Sequence, residues 1–330
     1  MRIGRQRNSP AGAVPLVAAA LLAVTVAVLA WQASPVLAGT SSDAGNLAVQ
    51  PSGPHGPGGR DYFVYTLNGG EHLRDVVGVS NLGTTRATFA VYATDALNSS
   101  DGSFNLLREE DKPKEVGTWV RLGATQYTLD PQQRVDIPFE ITIPTGATPG
   151  DHVGAIVAQR IPDPGNPEAG IGIGLRVRVG ARVYVRVAGE VHPSLAVEAL
   201  SISYDAPANP FATADAHISY TLTNTGDVRL SPTAALGVTG PLGLGRIRLP
   251  DRQIPELLPG SSIRIAETVH GVRPFVRLSA RLSVAQATGA VAVQSTIDEW
   301  TVPWFGVGAI VVGVCALVLV RILVRRRASV

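Results

Sequence analysis

The densest collection of chemically capable side chains is the run Leu175-Arg-Val-Arg-Val-Gly-Ala-Arg-Val-Tyr-Val-Arg186. Side chains alternate along an extended chain, so Arg176, Arg178, Arg182 and Arg186 share one face, with Gly180 and Tyr184 between them. Guanidinium forks pair with carboxylates and phosphates, so such a stripe could hold an anionic polymer. The plainer reading is that a sandwich strand needs a polar outer face and arginine supplies it. Trp119, in Gly117-Thr-Trp-Val120, has the same two readings: an aromatic plate for a sugar, or a side chain that fills a core.

No catalytic constellation accompanies them. The six histidines (His55, His72, His152, His192, His217, His270) are scattered, without His-x3-His or paired-cysteine spacing for a metal. Gly-x-Ser-x-Gly and the P-loop are absent. Gly170-Ile-Gly-Ile-Gly174 opens onto a strand, where it has no helix start on which to cradle phosphate. Ser261 and Ser262 lack a partner base. Glu109, Glu110 and Asp111 adjoin Lys112 and Lys114 and read as a solvated loop, and His152 reads as structural. No carboxylate pair can be nominated for sugar hydrolysis. The chain is expected to be no enzyme, with no metal and no cofactor.

The elements that must position these residues are short strands. Phe63–Leu67, Asp75–Ser80 and Thr88–Ala93 alternate, the last with Phe89 and Val91 on one face and Tyr92 on the other. The cleanest case puts Val135, Ile137, Phe139, Ile141 and Ile143 inward and Asp136, Pro138, Glu140 and Thr142 outward. Pro138 suggests an edge position. Residues 98–131 are polar and predict a long loop or decorated hairpin; residues 161–170 predict another loop. Leu195–Tyr204, Ala216–Thr223 and Val276–Val284 alternate again. Two stretches echo one another, Val77-Gly-Val-Ser-Asn81-Leu-Gly83 and Tyr220-Thr-Leu-Thr-Asn224-Thr-Gly226, each with a later proline-bearing turn at Asp130-Pro131 or Pro259-Gly260. The pattern predicts an all-β chain of two tandem immunoglobulin-like β-sandwiches, at 61–190 and 191–296, after a flexible lead-in at 39–60.

The termini predict a surface location. Arg2, Arg5 and Arg7 precede an apolar run from Ala11 to Ala30, and Val36 and Ala38 suit a signal-peptide cut that makes 1–38 the signal; an uncleaved anchor is the alternative. Thr301–Val320 carries no charge, and twenty residues at 1.5 Å each give roughly 30 Å, one hydrocarbon core. Trp300 and Trp304 flank its start, and Arg321, Arg325, Arg326 and Arg327 give a basic tail, 321–330. The expectation is a single-pass type I protein of the cell membrane, ectodomain outside and C-terminus cytoplasmic. Its 28 Lys and Arg include three in the signal and four in the tail, so 28 − 7 = 21 oppose 26 acidic residues between them. An ectodomain at −5 speaks against nucleic acid as a partner. Cys315, the one cysteine, lies in the apolar segment, so each sandwich must stand without a disulfide.

Several of these stretches, in order, resemble one family. Tyr62-Phe-Val-Tyr-Thr-Leu-Asn-Gly-Gly70, Val77-Gly-Val-Ser-Asn81, Ala90-Val-Tyr-Ala-Thr-Asp-Ala96, Trp119, Ile137-Pro-Phe-Glu-Ile-Thr-Ile-Pro144, Pro149-Gly-Asp-His-Val-Gly-Ala-Ile156 and Arg182-Val-Tyr-Val-Arg-Val187 are similar to the peptidoglycan-binding domain of WxL-interacting cell-surface proteins. The resemblance covers about residues 47–190. It implies attachment of the first domain to peptidoglycan, a second immunoglobulin-like domain that engages a protein, and a membrane helix with a basic tail. Residues 191–296 depart from the family's host-binding domain and read as a generic module. The expected partners are peptidoglycan or an anionic wall polymer, the membrane, and another surface protein. The competing expectation is a structural stalk or assembly scaffold for a neighbouring secreted protein, without wall binding.

Overall fold

The computed structural model describes residues 46–53, 56–162, 177–207, 209, 212–286, 291–301 and 304–327. The expected signal peptide, the glycine-rich run 170–174 and Arg176 lie outside them.

The first sandwich is built from β1 (Leu47–Gly53), β2 (Gly56–Pro57), β3 (Phe63–Leu67), β4 (His72–Asn81), β5 (Ala87–Asn98), β6 (Phe104–Leu106), the one-turn helix α1 (Val116–Trp119), β7 (Val120–Leu122), β8 (Gln126–Leu129), β9 (Arg134–Thr142), β10 (Gly150–Ile161) and β11 (Arg178–Val187). One sheet runs β2-β1-β4-β9-β7; the other runs β3-β11-β10-β5-β6, with β8 also on β5. All pairs are antiparallel except β3 with β11. Alternation does what the sequence requires: Ile137, Phe139, Ile141 and Ile143 are buried among Phe63, Val77, Phe89, Val91, Ile156 and Val183. Pro138 lies just beyond the stretch of β9 that pairs with β7, where a strand needs no amide donor on that side.

Two expectations change here. The lead-in holds strands: β1 pairs with β4 from Leu47↔Asn81 to Ser52↔Val76, burying Leu47 in the core. Its Gly, Ser and Pro content masks a short outer strand whose register is set by the partner rather than by its own propensity. Residues 98–131 contain β6, α1, β7 and β8. These elements are too short for a period to show in the sequence.

The second sandwich comprises β12 (Leu195–Tyr204), β13 (Ala214–Asn224), β14 (Thr233–Thr239), β15 (Ile247–Arg248), β16 (Arg252–Gln253), β17 (Ser262–Val272), β18 (Arg277–Ala285) and β19 (Ala292–Trp300). Its sheets are β12-β13-β17 and β15-β14-β18-β19, with β16 also on β14. Leu278, Ala280, Leu282 and Val284 face Ile218, Tyr220, Leu222 and Ile265 across the core, and Val276 stays exposed beyond the end of β18. The sandwich continues to Trp300, past the expected limit at 296, because β19 pairs with β18 along its whole length.

The echoed asparagines share one job. Asn81 is buried; its amide donates to the carbonyls of Thr85, Leu129 and Asp130, and its Oδ1 accepts from Gly83 N–H at 3.0 Å. Asn224 is buried likewise, donating to Val228 and Leu257 and accepting from Gly226 N–H at 3.0 Å. Each side chain closes its own turn and ties it to the proline-bearing turn across the sandwich.

A helix α2 (Trp304–Arg327) follows, starting three residues later than expected and continuing through the arginines. Its described apolar side chains, Val311 to Val314 and Leu317 to Val320 among them, are exposed. Among the described residues, no helix is long and apolar enough to cross a membrane.

Candidate functional site

The predicted arginine face exists, and the second sandwich sits on it. Register places Asp151, Val153 and Ala155 of β10 opposite Arg186, Tyr184 and Arg182 of β11, all on the outer face of the sheet. Asp151, buried, is the hub. Its carboxylate accepts from Arg186 Nε at 2.7 Å and Nη2 at 2.6 Å, and from the backbone N–H of Arg229 in the second sandwich at 2.9 Å. Its own N–H donates to the Asp227 carbonyl at 2.7 Å. Burial pushes the Asp151 carboxyl up, but the Arg186 fork, the Arg229 amide and the two guanidinium charges outweigh it and hold it below the usual carboxylate range.

The network continues through aromatic rings. The Arg229 guanidinium lies 4.1 Å from the Tyr184 ring centre and donates from Nη1 to Glu256 Oε1 at 3.0 Å. Tyr184 OH donates to Glu256 Oε2 at 3.0 Å. Val153, Tyr184 and Leu258 form a small apolar cluster against Ala96 and Phe104. Arg182 stacks over Phe104 at 4.3 Å, and Arg178 donates to the Leu107 carbonyl at 2.8 Å while its Nε is buried without a partner. Each described stripe arginine is thus engaged by this chain itself.

A second point of attachment is Asn98 at the end of β5. Its amide donates to the Glu256 carbonyl at 2.8 Å, and its Oδ1 accepts from Leu258 N–H at 2.8 Å. Arg264 N–H adds a bond to the Ser100 carbonyl at 3.0 Å. Gly150 is obligatory at this join: its φ is +129°, and a Cβ there would stand 2.4 Å from the Asp227 carbonyl oxygen.

Beside Asp151 sits His152. Asp95 of β5 accepts from the N–H groups of Lys114, Glu115 and Gly117, which fixes α1 and so places Glu115 and Trp119. His152 Nδ1 lies 2.9 Å from Glu115 Oε2 and Nε2 lies 2.9 Å from the Thr148 carbonyl. Burial pulls the imidazole pKa down, but the Glu115 and Thr148 bonds overcome it and raise it. Two acceptors for two ring nitrogens favour imidazolium. The Trp119 ring centre is 4.7 Å from that of His152, and Trp119 is only 7% exposed. That corrects its reading as a sugar platform: its face is covered, and it pins His152. The cleft beside them, lined by Glu115, Thr148, Asp151, His152, Asp227 and Leu258, holds about 150 Å³. That is well below the roughly 300–1,000 Å³ of small-molecule sites. Among the described residues no group of His, Cys, Asp and Glu is placed to hold a metal ion.

Sequence reasoning placed Arg178, Arg182, Tyr184 and Arg186 on one face correctly and missed Asp151, Arg229, Glu256 and Asn98. One signal was available. Val153-Gly-Ala-Ile-Val-Ala158 is apolar on both faces, as only a strand covered on both sides should be.

No family model and no curated protein matches the chain. Among solved structures, it is similar to one described as a chaperone–tip adhesin complex of CFA/I fimbriae biogenesis, at 12% identity and TM-score 0.36, covering 78% of this chain and 99% of that one. It is also similar to the E. coli chaperone DraB, at 13% identity and TM-score 0.33, covering 77% and 96%. A third is the Pseudomonas aeruginosa CupB2 chaperone, at 12% identity and TM-score 0.30, covering 73% and 98%. At these identities and scores the likenesses say nothing of what the chain binds.

Proposed function

We propose that the chain is a non-enzymatic surface protein, held in the membrane by its C-terminal helix with the sandwiches outside and the arginine-rich tail in the cytoplasm. In this reading the first sandwich binds peptidoglycan or an attached anionic polymer, and the second presents a surface to another protein. The observation that carries it is one of extent. The strand framework of the first sandwich runs from Leu47 to Val187, the same stretch over which the sequence resembles the peptidoglycan-binding domain of WxL-interacting proteins. The anchor rests on the uncharged stretch 301–320, the flanking tryptophans and the arginines beyond. The helix that carries this stretch, α2, has 24 residues and is about 36 Å long.

The test is co-sedimentation of the full chain in nanodiscs with purified cell walls. The protein pellets with walls at low salt and is released as salt rises if an anionic polymer is held. Failure to pellet at low salt ends this reading.

A stalk or scaffold without wall binding is the second reading, and the engaged arginines favour it: Arg186 is forked to Asp151 and Arg182 lies on Phe104. Replacing Arg176, Arg178, Arg182 and Arg186 with Gln separates the two. Reduced pelleting and a weaker salt dependence support polymer binding by that face, whereas absent pelleting with one dominant cross-linked protein in cells supports the scaffold.

A further inference from the structure

The end of the second sandwich remote from the first carries an apolar patch. Strand β14 starts near Arg229 at the join and ends at Thr239, some seven residues or roughly 23 Å away. There the chain makes the turn Gly240-Pro-Leu-Gly-Leu-Gly245, whose helical core is Pro241–Gly243. Leu242 is fully exposed at its tip, and Leu244 is largely exposed. Phe275 clamps the turn: a Cβ on Gly240 or Gly245 would lie 2.4 Å or 2.6 Å from its ring. Val276 and Trp300 complete the patch, and Thr301 is bonded back to the carbonyls of Val276 and Phe275. Of the eight large apolar side chains exposed on the described sandwiches, Leu242, Leu244, Val276 and Trp300 are four.

Arginines surround the apolar tips. Arg277 lies 5.8 Å from the Trp300 ring centre and pairs with Asp298; Arg248 pairs with Asp251 at 3.0 Å. Arg246 and Arg273 are exposed and have no acidic partner among the described residues. Apolar tips flanked by two unpaired cations, Arg246 and Arg273, match the layering of a bilayer surface, acyl chains below and phosphates above. Chain length supplies the second argument. Helix α2 begins at Trp304, and three extended residues from Thr301 reach about 11 Å at most. Thr301, bonded to the Phe275 and Val276 carbonyls at the edge of the patch, therefore lies within that reach of the helix start.

We propose that this end of the second sandwich docks on the outer leaflet, with Leu242 and Leu244 in the headgroup–acyl boundary, Trp300 at headgroup level, and Arg246 and Arg273 on lipid phosphates. The proposal rests on the anchor reading above. The membrane then holds the sandwich at a fixed tilt instead of leaving it to swing on its tether.

Depth-dependent quenching tests it in the full chain. On a Cys315→Ser background, Leu242→Cys, Leu317→Cys and Thr84→Cys are each labelled with an environment-sensitive dye and placed in nanodiscs. The lipids carry a nitroxide near the carbonyl end of the acyl chain. The dye at 242 loses at least about half its emission when the nitroxide lipid is introduced, as a side chain seated in the boundary should. The dye at 84, on the first sandwich, is unchanged. Arg246→Gln with Arg273→Gln reduces the quenching at 242 in membranes of anionic lipid. If 317 is quenched and 242 is not, the docking proposal is overturned while the anchor stands, and the patch is left for a protein. If neither is quenched, both fall.

Discussion

Asn81 and Asn224 occupy matching places in the two sandwiches, with the same buried amide and the same bond from a glycine two residues on. Their surroundings differ. Around Asn81 the turn ends in water, where Arg86 and Asp130 form an exposed pair at 3.5 Å. Around Asn224 the next residues are Asp227 and Arg229, which meet Asp151, and the facing turn holds Glu256 and Leu258, which meet Tyr184, Val153 and Asn98. One local device therefore serves two ends. In the first sandwich it only closes the fold; in the second it also stiffens the surface that grips a neighbour. A turn already immobilised for folding loses little further entropy when it becomes an interface.

Breaking the grip has the largest expected effect. Asp151→Ala leaves Arg186 and the Arg229 amide without their acceptor and costs about 2–3 kcal/mol, below the full buried-pair range because Arg186 keeps access to water. Calorimetry of the full chain in nanodiscs shows one melting transition for the parent and two for the variant; a single unshifted transition would mean that Asp151 does not couple the sandwiches.

Asn224→Ala and Asn81→Ala each strand buried carbonyls and cost about 2 kcal/mol. The comparison is sharpened by where amide hydrogen exchange rises: in both sandwiches' facing surfaces for Asn224→Ala, including Asp151 and Leu258, but only within the first sandwich for Asn81→Ala. Equal patterns would show that the two plugs are equivalent after all. Gly150→Ala, forced into a positive φ and against Asp227, costs about 1–2 kcal/mol and raises exchange at the same join.

The smallest effect is on pH. His152 has a raised pKa, so its stabilisation is full below the free value of about 6.5 and is lost as pH rises through the folded value. Asp151 has a lowered pKa, so its contribution is present above about 3.9 and is lost as pH falls through the folded value. The join, faced also by Glu115, Asp227, Arg186 and Arg229, is tightest between these limits. His152→Gln flattens the alkaline side of the stability profile alone, and an unchanged profile would remove His152 from the account.

Period-two alternation made most of the architecture legible. Ile137 to Ile143 and Leu278 to Val284 bury the side chains the pattern assigns, because a strand with one wet face has only one way to hide its apolar residues; the first residue of each run, Val135 or Val276, is half-buried or exposed at the strand end. The Asn-x-Gly echo correctly marked two related turns. The strand at Leu47–Gly53 and the small elements between 98 and 131 were not legible, since their conformation is imposed by partners distant in sequence.

The sequence by itself determined two cysteine-free β-cores, the face on which Arg178, Arg182 and Arg186 stand, and the apolar segment after Trp300. Only the tertiary structure decided what that arginine face meets. Strand periodicity states which side of a sheet a residue occupies. Whether that side is open or covered depends on a second domain whose contacting residues, Arg229 and Glu256, lie more than forty positions beyond Arg186.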